Sequence, residues 1–379
     1  MTVIVSGMIA GDPYQGGATW AVLQYVLGLR RLGHEVFLIE PLTPPKRRPP
    51  DWNFEESSSA DYFRAVVAQF RLEGKAALLL GGTQRTIGMA YDTLRTIAER
   101  SEVIFNISGM LADEVLLAPI PRRVYLDLDP AFIQLWQAEY GIDMRMDAHT
   151  HFATVGQSIG SADCLIPTCE RQWIPTAQPI LLEEWPTTDH IERDALTTIG
   201  NWRGYGSIEF NGEQYGQKAH SLRRFLDLPR HTSEKFTPAL AIHPDETNDL
   251  SALAENGWIV LDPKTVAATP SKYRRFIQGS KAEFGIAKSG YVASRCGWFS
   301  DRSVCYLASG RPVLAQETGF SKWLPTGEGL FAFQTVADVV TAIDLMNSDY
   351  GRHARAARAL AQEYFDSGKV LSRLIEEVA

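Results

Sequence analysis

The sequence predicts an α/β protein with two doubly wound, Rossmann-like domains that face each other across a cleft. Three observations predict this fold class. The chain has 379 residues, which is too long for one ordinary core and suits two domains of roughly 100 to 200 residues each. An apolar strand, a glycine-rich loop and a helix open the chain. The same order restarts near residue 195 with the segment ALTTIGNWRGYG.

The first half begins with a βαβ unit. An apolar strand at residues 3–5 leads into a glycine-rich loop at residues 7–17 and an amphipathic helix over 18–33, and EVFLIE forms the second strand. Gly33 stands where a left-handed residue commonly ends a helix. The Pro-rich, basic stretch at 41–52 then interrupts the alternation. Later strand-like segments end in polar or glycine residues, where an α/β sheet places its ligand-binding loops.

The Pro- and Trp-rich segment before residue 195 predicts a domain boundary. We expect a first domain at residues 1–188 and a second at 189–350. Residues 351–379 read as amphipathic helices, which we expect to cross back onto the first domain.

Composition and charge exclude several classes of protein. Hydrophobic residues make up 45% of the chain, as in folded globular proteins, and the net charge of −8 argues against general nucleic-acid binding. The first ten residues lack the basic start of a signal peptide, and no apolar run approaches the roughly 20 residues that span a bilayer. We therefore expect a cytoplasmic protein without a transmembrane segment. The four cysteines form no C-x-x-C pair, which favours free thiols over zinc.

The strongest site pattern lies at residues 290–320, where a strand end, a small polar loop, a helix and a Pro-initiated strand follow one another. This layout suits an anion at the start of the helix, because free backbone N–H groups and the positive end of the helix face the same point. An ordinary helix cap with solvated basic residues is the alternative, and both interpretations stay open. The candidates are Ser300 as N-cap, the amides near Asp301, Arg302 and Ser303, and the cations Lys288 and Arg295.

The segment YLASGRPVLA resembles the donor-binding segment of family-4-like GT-B glycosyltransferases, and the Gly16–Gly17 loop resembles the glycine pair with which many of them approach donor phosphate or acceptor. The chain departs from the family at the E-x7-E pair, whose positions are occupied by Gly297 and Cys305. We therefore treat the chain as a divergent relative in which Asp301 takes the place of the ribose-binding glutamate.

The resemblance implies a hexosyltransferase that moves a sugar from a nucleoside diphosphate sugar to the hydroxyl of an acceptor whose identity is open. The second domain would bind the donor and the first domain the acceptor, with no cofactor and no metal. A basic residue early in the second domain would neutralise the diphosphate, and Arg203 and Lys218 are the candidates. A solvated surface lysine is the alternative interpretation of Lys218.

The first domain must supply a base for the acceptor hydroxyl. Asp12 stands where inverting relatives keep theirs, although an Asp before Pro13 is also typical of a turn. In DAHTHF, His149 and His151 alternate with Asp147 and would share one face of an extended segment. The same pattern can hold a metal, which we do not favour, because no third cluster completes the ligand shell. Asp129 is expected in the cleft near the acceptor.

Two other functions are compatible with doubly wound domains. An NAD-dependent oxidoreductase is disfavoured, because the first loop lacks G-x-G-x-x-G and the acidic Glu40 after the second strand is followed by Pro41. A non-catalytic nucleotide- or sugar-binding protein with a hinged cleft stays open.

Overall fold

The computed structural model describes residues 1–44 and 52–379. Most of the Pro-rich, basic stretch that the sequence singles out, residues 45–51, lies outside the described residues. The described strands form two main sheets, the first from strands between residues 2 and 175 and the second from strands between 193 and 333.

The first sheet has eight strands in the order β4-β3-β2-β1-β5-β6-β7-β8, and every pairing is parallel except that of β3 with β4. Its elements in chain order are β1 (Thr2–Ser6), α1 (Gly16–Arg31), β2 (Glu35–Leu42), α2 (Ser58–Gln69), β3 (Ala76–Leu80), β4 (Thr86–Gly88), α3 (Tyr91–Arg100), β5 (Val103–Ile107), α4 (Glu114–Leu117), β6 (Arg122–Asp127), α5 (Phe132–Ala138), β7 (His151–Thr154) and β8 (Trp173–Pro175).

The strand order reverses at β1, which pairs with β2 on one side and β5 on the other. Every residue of β3 and β5 is buried, as expected for parallel strands covered on both faces by helices. Gly33 has φ +86° after α1, so the predicted left-handed helix end is confirmed. The loop between β1 and α1 therefore lies at the topological switch point, where open α/β sheets bind ligands.

The second sheet has the order β16-β15-β14-β9, all parallel. Strands β9 and β10 are separated by Thr198 alone, and β10 pairs in parallel with β13, so the order reverses here as well. The elements of this half are β9 (Arg193–Thr197), β10 (Ile199–Asn201), β11 (Ile208–Phe210), β12 (Glu213–Tyr215), α6 (Lys218–Leu222), β13 (Ala239–Ala241), α7 (Thr247–Glu255), α8 (Pro263–Val266), α9 (Pro270–Gln278), β14 (Ser280–Gly285), α10 (Ser289–Ser294), α11 (Asp301–Ala308), β15 (Val313–Gln316) and β16 (Leu330–Phe333).

The C-terminal helices are α12 (Val336–Ser348), α13 (Tyr350–Leu360) and α14 (Ser367–Glu377). The amide of Ile180 donates to the carbonyl of Phe365, and that of Ser367 donates back to Ile180. Helix α14 packs against α1 so closely that a Cβ on Gly28 would lie 2.6 Å from Leu371 Cδ1. The end of the chain thus lies on the first sheet's helical layer.

The prediction of an α/β protein with two doubly wound units is confirmed by these two parallel sheets. One apolar cluster runs between them and includes Trp20, Trp185, Tyr273 and Phe365. No helix within residues 1–44 and 52–379 is long and apolar enough to cross a membrane. The domain boundary at 188/189 and a cytoplasmic location stay predictions.

Candidate functional site

A cleft of about 650 Å³ lies between the two sheets, at both switch points. Its wall on the first domain is the loop after β1 and the first turn of α1, residues 12–18. Its wall on the second domain comes from the carboxyl ends of β10 and β13, from residues 262–268 and from the start of α11. A volume of this size suits a nucleotide-sized ligand.

Gly16 and Gly17 join the two walls. The amide of Gly16 donates to the carbonyl of Ala267 at 3.0 Å, and a Cβ on Gly16 would lie 2.4 Å from the carbonyl oxygen of Thr269. A Cβ on Gly17 would lie 2.8 Å from the ring of Tyr273. We call this contact between Gly16, Gly17 and residues 267–273 the glycine seam. Both glycines also line the cleft, but the close contacts in the seam are sufficient to require glycine at both positions.

Lys218, at the first position of α6, is buried at the end of β10 with 7% of its surface exposed. Lys218 is not itself among the residues that line the cleft, but it lies directly behind Gly200, which does line it: a Cβ on Gly200 would lie 2.8 Å from Lys218 Nζ. Among the residues that the structure describes, this ammonium has no hydrogen-bond or ion-pair partner. Burial lowers the pKa of Lys218 well below the usual lysine value, and the nearby Arg302 lowers it further. An unpaired buried cation of this kind is stabilised by an incoming anion.

Arg302 also lines the cleft, from the first turn of α11. Its Nε donates to the fully buried Glu283 at 2.6 Å, and its Nη1 donates to the carbonyl of Ile199 at 3.0 Å. These contacts fix the guanidinium beside Lys218, so the two predicted donor-binding residues Lys218 and Arg302 are brought together.

The start of α11 differs from the prediction in one detail. Ser300 occupies the N-cap position, but its hydroxyl makes no bond to a backbone amide and lies 3.4 Å from Asp301 Oδ1. Asp301 lines the cleft and Ser303 is buried behind it. Ser300 is therefore the N-cap residue, as the sequence predicts, but its hydroxyl faces Asp301 and does not cap the helix. The carboxylate of Asp301 faces the cleft, as the ribose-binding hypothesis requires.

Lys288 is not part of the cleft wall, so its role at the diphosphate stays a prediction that this placement does not support. Its ammonium lies 3.0 Å from the carboxylate of Asp129, which follows β6 of the first domain. The hydroxyls of Tyr205 and Tyr291 also donate to this carboxylate, the first at 2.7 Å. We call these four residues the Asp129 cluster. The charge of Lys288 is neutralised there, across the interface between domains, and Asp129 itself does not line the cleft.

Arg203 and Arg295 also lie outside the cleft wall. Arg203 forms a half-exposed ion pair with Glu246. Arg295 is exposed, has a left-handed backbone with φ +48°, and lines a separate depression of about 240 Å³. Their contact with the diphosphate stays a prediction that this placement does not support, because each side chain lies at another surface.

Asp12 lines the cleft from the first-domain loop and is exposed. The side-chain amide of Gln15 donates to its carboxylate, so Asp12 is held next to the start of α1. Tyr14 lies beside it with 48% of its surface exposed, in the left-handed region with φ +67°. A strained, exposed aromatic residue in a cleft is more common at functional sites than elsewhere.

His149 and His151 do not line the cleft. Residues Met146–Ala148 form a 3-10 turn, so the predicted common face of Asp147, His149 and His151 is wrong. The ring of His149 is buried between the carbonyl of Arg145 and the amide of Asn106, at 2.9 and 3.0 Å, and burial lowers its pKa. Among the described residues, no group of three or more His, Cys, Asp or Glu is placed to hold a metal ion.

The candidate site residues chosen from the sequence do not include the wall at residues 262–268. Asp262 accepts a hydrogen bond from the amide of Lys264 at 2.9 Å, and Pro263 begins α8. An Asp followed by Pro is a helix-start signal that was available in the sequence. Asn201, at the end of β10, completes this side of the cleft.

No protein-family model matches the sequence, and no curated protein matches it. Solved structures do match over the full length of the chain. An α-glucosyltransferase in complex with UDP and a 13-mer DNA containing an HMU base aligns over 100% of both chains, with a TM-score of 0.62 and 13% identity. HepE from Anabaena, in complex with UDP and glucose, aligns over 100% of this chain and 99% of its own, with a TM-score of 0.60 and 11% identity.

A glycosyltransferase from Rickettsia africae is also similar, over 100% of this chain and 97% of its own, with a TM-score of 0.58 and 12% identity. At such identities the likeness concerns the fold. The chain has the GT-B glycosyltransferase fold, as its sequence predicts.

Proposed function

We propose that this protein transfers a hexosyl group from a nucleoside diphosphate sugar to an acceptor hydroxyl, with the nucleotide bound in the cleft between the two domains. The observation that carries the proposal is the buried, unpaired ammonium of Lys218 beside Gly200 in the cleft wall. The UDP bound to two of the similar structures supports it.

In this proposal Lys218 and Arg302 hold the diphosphate, and the positive end of α11 adds to their field. The acceptor oxygen forms a bond to the anomeric carbon while the bond from that carbon to the phosphate oxygen breaks. The bonding electrons leave with the nucleoside diphosphate, so its stabilisation by fixed cations lowers the barrier. Asp12 takes the proton of the acceptor hydroxyl, and Asp301 binds the ribose.

The carboxylate at the end of β2 gives no support to the oxidoreductase alternative. In dinucleotide-binding domains an acidic residue at this place binds the ribose hydroxyls. Glu40 is fully buried here and accepts hydrogen bonds from backbone amides of the loop after β1, so it has no free access to a ligand.

A thermal-shift and calorimetric screen of UDP, GDP, TDP, ADP and NAD(H) tests the proposal, because a ligand of the native state raises the melting temperature. We expect stabilisation by one nucleoside diphosphate. Stabilisation by NAD(H) alone would contradict the proposal.

Sugar transfer is then assayed with the donor that the screen identifies and a panel of glycan, small-molecule and DNA acceptors. DNA is included because one similar structure is a DNA-bound glucosyltransferase, although the charge of −8 predicts no general nucleic-acid binding. We expect Asp12→Asn to lower turnover by about 100-fold or more while donor affinity stays within about twofold. Nucleotide binding without any transfer or hydrolysis of the donor would instead indicate a non-catalytic binding protein.

A further inference from the structure

Glu40 is a buried carboxylate that the proposed chemistry does not use. It lies near the end of β2, with 0% of its surface exposed. Its Oε1 accepts hydrogen bonds from the amides of Ala10 at 2.7 Å and Gly11 at 2.6 Å. These two amides belong to the loop between β1 and α1, immediately before Asp12. Glu40 therefore connects the second strand to the loop that forms the first-domain wall of the cleft.

This arrangement destabilises the fold locally. Glu40 Oε2 has no hydrogen-bond partner among the described residues. Burial raises the pKa of Glu40 to about 7, although the amides of Ala10, Gly11 and Ile9 act in the opposite direction. Among the described residues, no charged group contributes to the pKa shift of Glu40, and the titratable side chain whose pKa Glu40 affects is Tyr62 of α2. An apolar or amide side chain would be cheaper to bury, so stability alone does not explain a carboxylate here.

The contacts of Glu40 explain what the carboxylate does. The amides of two consecutive residues, Ala10 and Gly11, are both fixed on Glu40 Oε1. The next residue is Asp12, the proposed base. Hydrogen bonds to an ionised acceptor are about twice as strong as neutral ones, so the ionised form holds the loop more tightly than an amide would.

We propose that Glu40 is a positioning residue, whose ionised carboxylate holds residues 10 and 11 so that Asp12 and Tyr14 face the acceptor in the cleft. The catalytic part of this inference rests on the proposed function, and the structural part does not. Protonation weakens the two hydrogen bonds, so the loop loosens as the pH falls through about 7.

The effect on stability has the opposite sign. The pKa of Glu40 is raised on folding, from 4.5 to about 7. Its contribution to stability is therefore fully present below pH 4.5 and is lost as the pH rises towards 7. Ionisation of Glu40 thus tightens the loop while it lowers the free energy of unfolding.

The test compares Glu40→Leu, which removes the acceptor, with Glu40→Gln, which keeps an uncharged acceptor. Hydrogen exchange of a peptide covering residues 7–16 is measured on the ligand-free proteins, so the result does not depend on turnover. We expect exchange at residues 10 and 11 to rise by about tenfold or more in Glu40→Leu and less in Glu40→Gln, with β5 unchanged in both. The wild-type loop should also become less protected below about pH 7, relative to β5, and Glu40→Gln should lose this dependence.

Turnover and melting temperature complete the experiment. With an identified donor, Glu40→Leu should lower kcat by about tenfold at unchanged donor affinity, with partial rescue by Glu40→Gln. At about pH 8 the melting temperature of Glu40→Gln should not fall.

Unchanged loop exchange in Glu40→Leu, or faster exchange throughout the protein in both variants, would overturn the inference. Absence of nucleotide binding and transfer in the wild type would instead overturn the proposed function. The exchange result would then still show whether Glu40 holds residues 10 and 11.

Discussion

Two of the contacts between the domains have opposite chemistry. The glycine seam is a close, uncharged contact, with the amide of Gly16 on the carbonyl of Ala267 and the ring of Tyr273 against Gly17. The Asp129 cluster joins charged and hydroxyl side chains around one carboxylate. The seam is fixed by shape and is insensitive to salt or pH, whereas the cluster depends on charge. The seam forms part of the cleft wall, whereas the Asp129 cluster joins the domains outside that wall.

The largest effect is expected at the seam. In Gly16→Ala the new Cβ would lie 2.4 Å from the carbonyl oxygen of Thr269, and backbone has no rotamer with which to yield. Overpacking of this kind costs about 1–3 kcal/mol. We expect a lower melting temperature or a more open protein in small-angle X-ray scattering. Gly206→Ala is the matched control, because nothing lies within 4 Å of its Cβ. Equal stability and scattering of the two variants would contradict this description of the seam.

The next effect is expected at the Asp129 cluster. Asp129→Asn removes the charge that neutralises Lys288 and weakens the acceptor shared by two tyrosines. Because the two charged side chains are each 25% exposed, we expect a loss of about 1–2 kcal/mol, less than for a fully buried pair. Urea denaturation at low and high salt measures it. The wild type should weaken with salt and Asp129→Asn should not. The same salt dependence in both proteins would show that the cluster is not an electrostatic contact.

The smallest effect is expected at Arg203. Its ion pair with Glu246 is partly exposed, with 40% and 26% of the two side chains accessible, and such pairs contribute about 0–1 kcal/mol. Arg203→Ala should leave both the melting temperature and nucleotide affinity nearly unchanged in the screen. A tenfold loss of nucleotide affinity would restore Arg203 as a donor-binding residue.

The sequence predicts the parts of this molecule that depend on local pattern. The βαβ opening, the helix end at Gly33 and the second glycine-rich strand end follow from apolar periodicity and from residues that favour particular backbone angles. Lys218 could be selected for the same reason, since it opens a helix after a first strand. The sequence could not predict that Lys218 is buried without a partner, because its surroundings include Gly200 and Arg302 from other elements.

The differences between the predicted and the observed site have two kinds of cause. Lys288 is neutralised by Asp129, a residue 159 positions away in the chain, and the cation that reaches the cleft beside Lys218 is instead Arg302, held by Glu283. The first of these pairings is set by the packing of the two domains, and the second by the packing of α11 against β14 within the second domain. His149 fails for a local reason, because the sequence pattern assumed an extended segment where the chain forms a 3-10 turn.

Calorimetry of nucleoside diphosphate binding is the most direct test of the role proposed for Lys218. Titrations at about pH 8 are repeated in buffers that differ in ionisation enthalpy. The dependence of the observed heat on the buffer gives the number of protons taken up on binding. Because burial lowers the pKa of Lys218 and a neighbouring anion favours the charged form of an amine, we expect the wild type to take up protons when the diphosphate binds. Lys218→Met should abolish this uptake and weaken binding by about 10- to 100-fold, whereas the exposed Lys235→Met should change neither. Equal affinity and equal proton uptake in the wild type and Lys218→Met would contradict the central claim that this buried lysine holds the diphosphate.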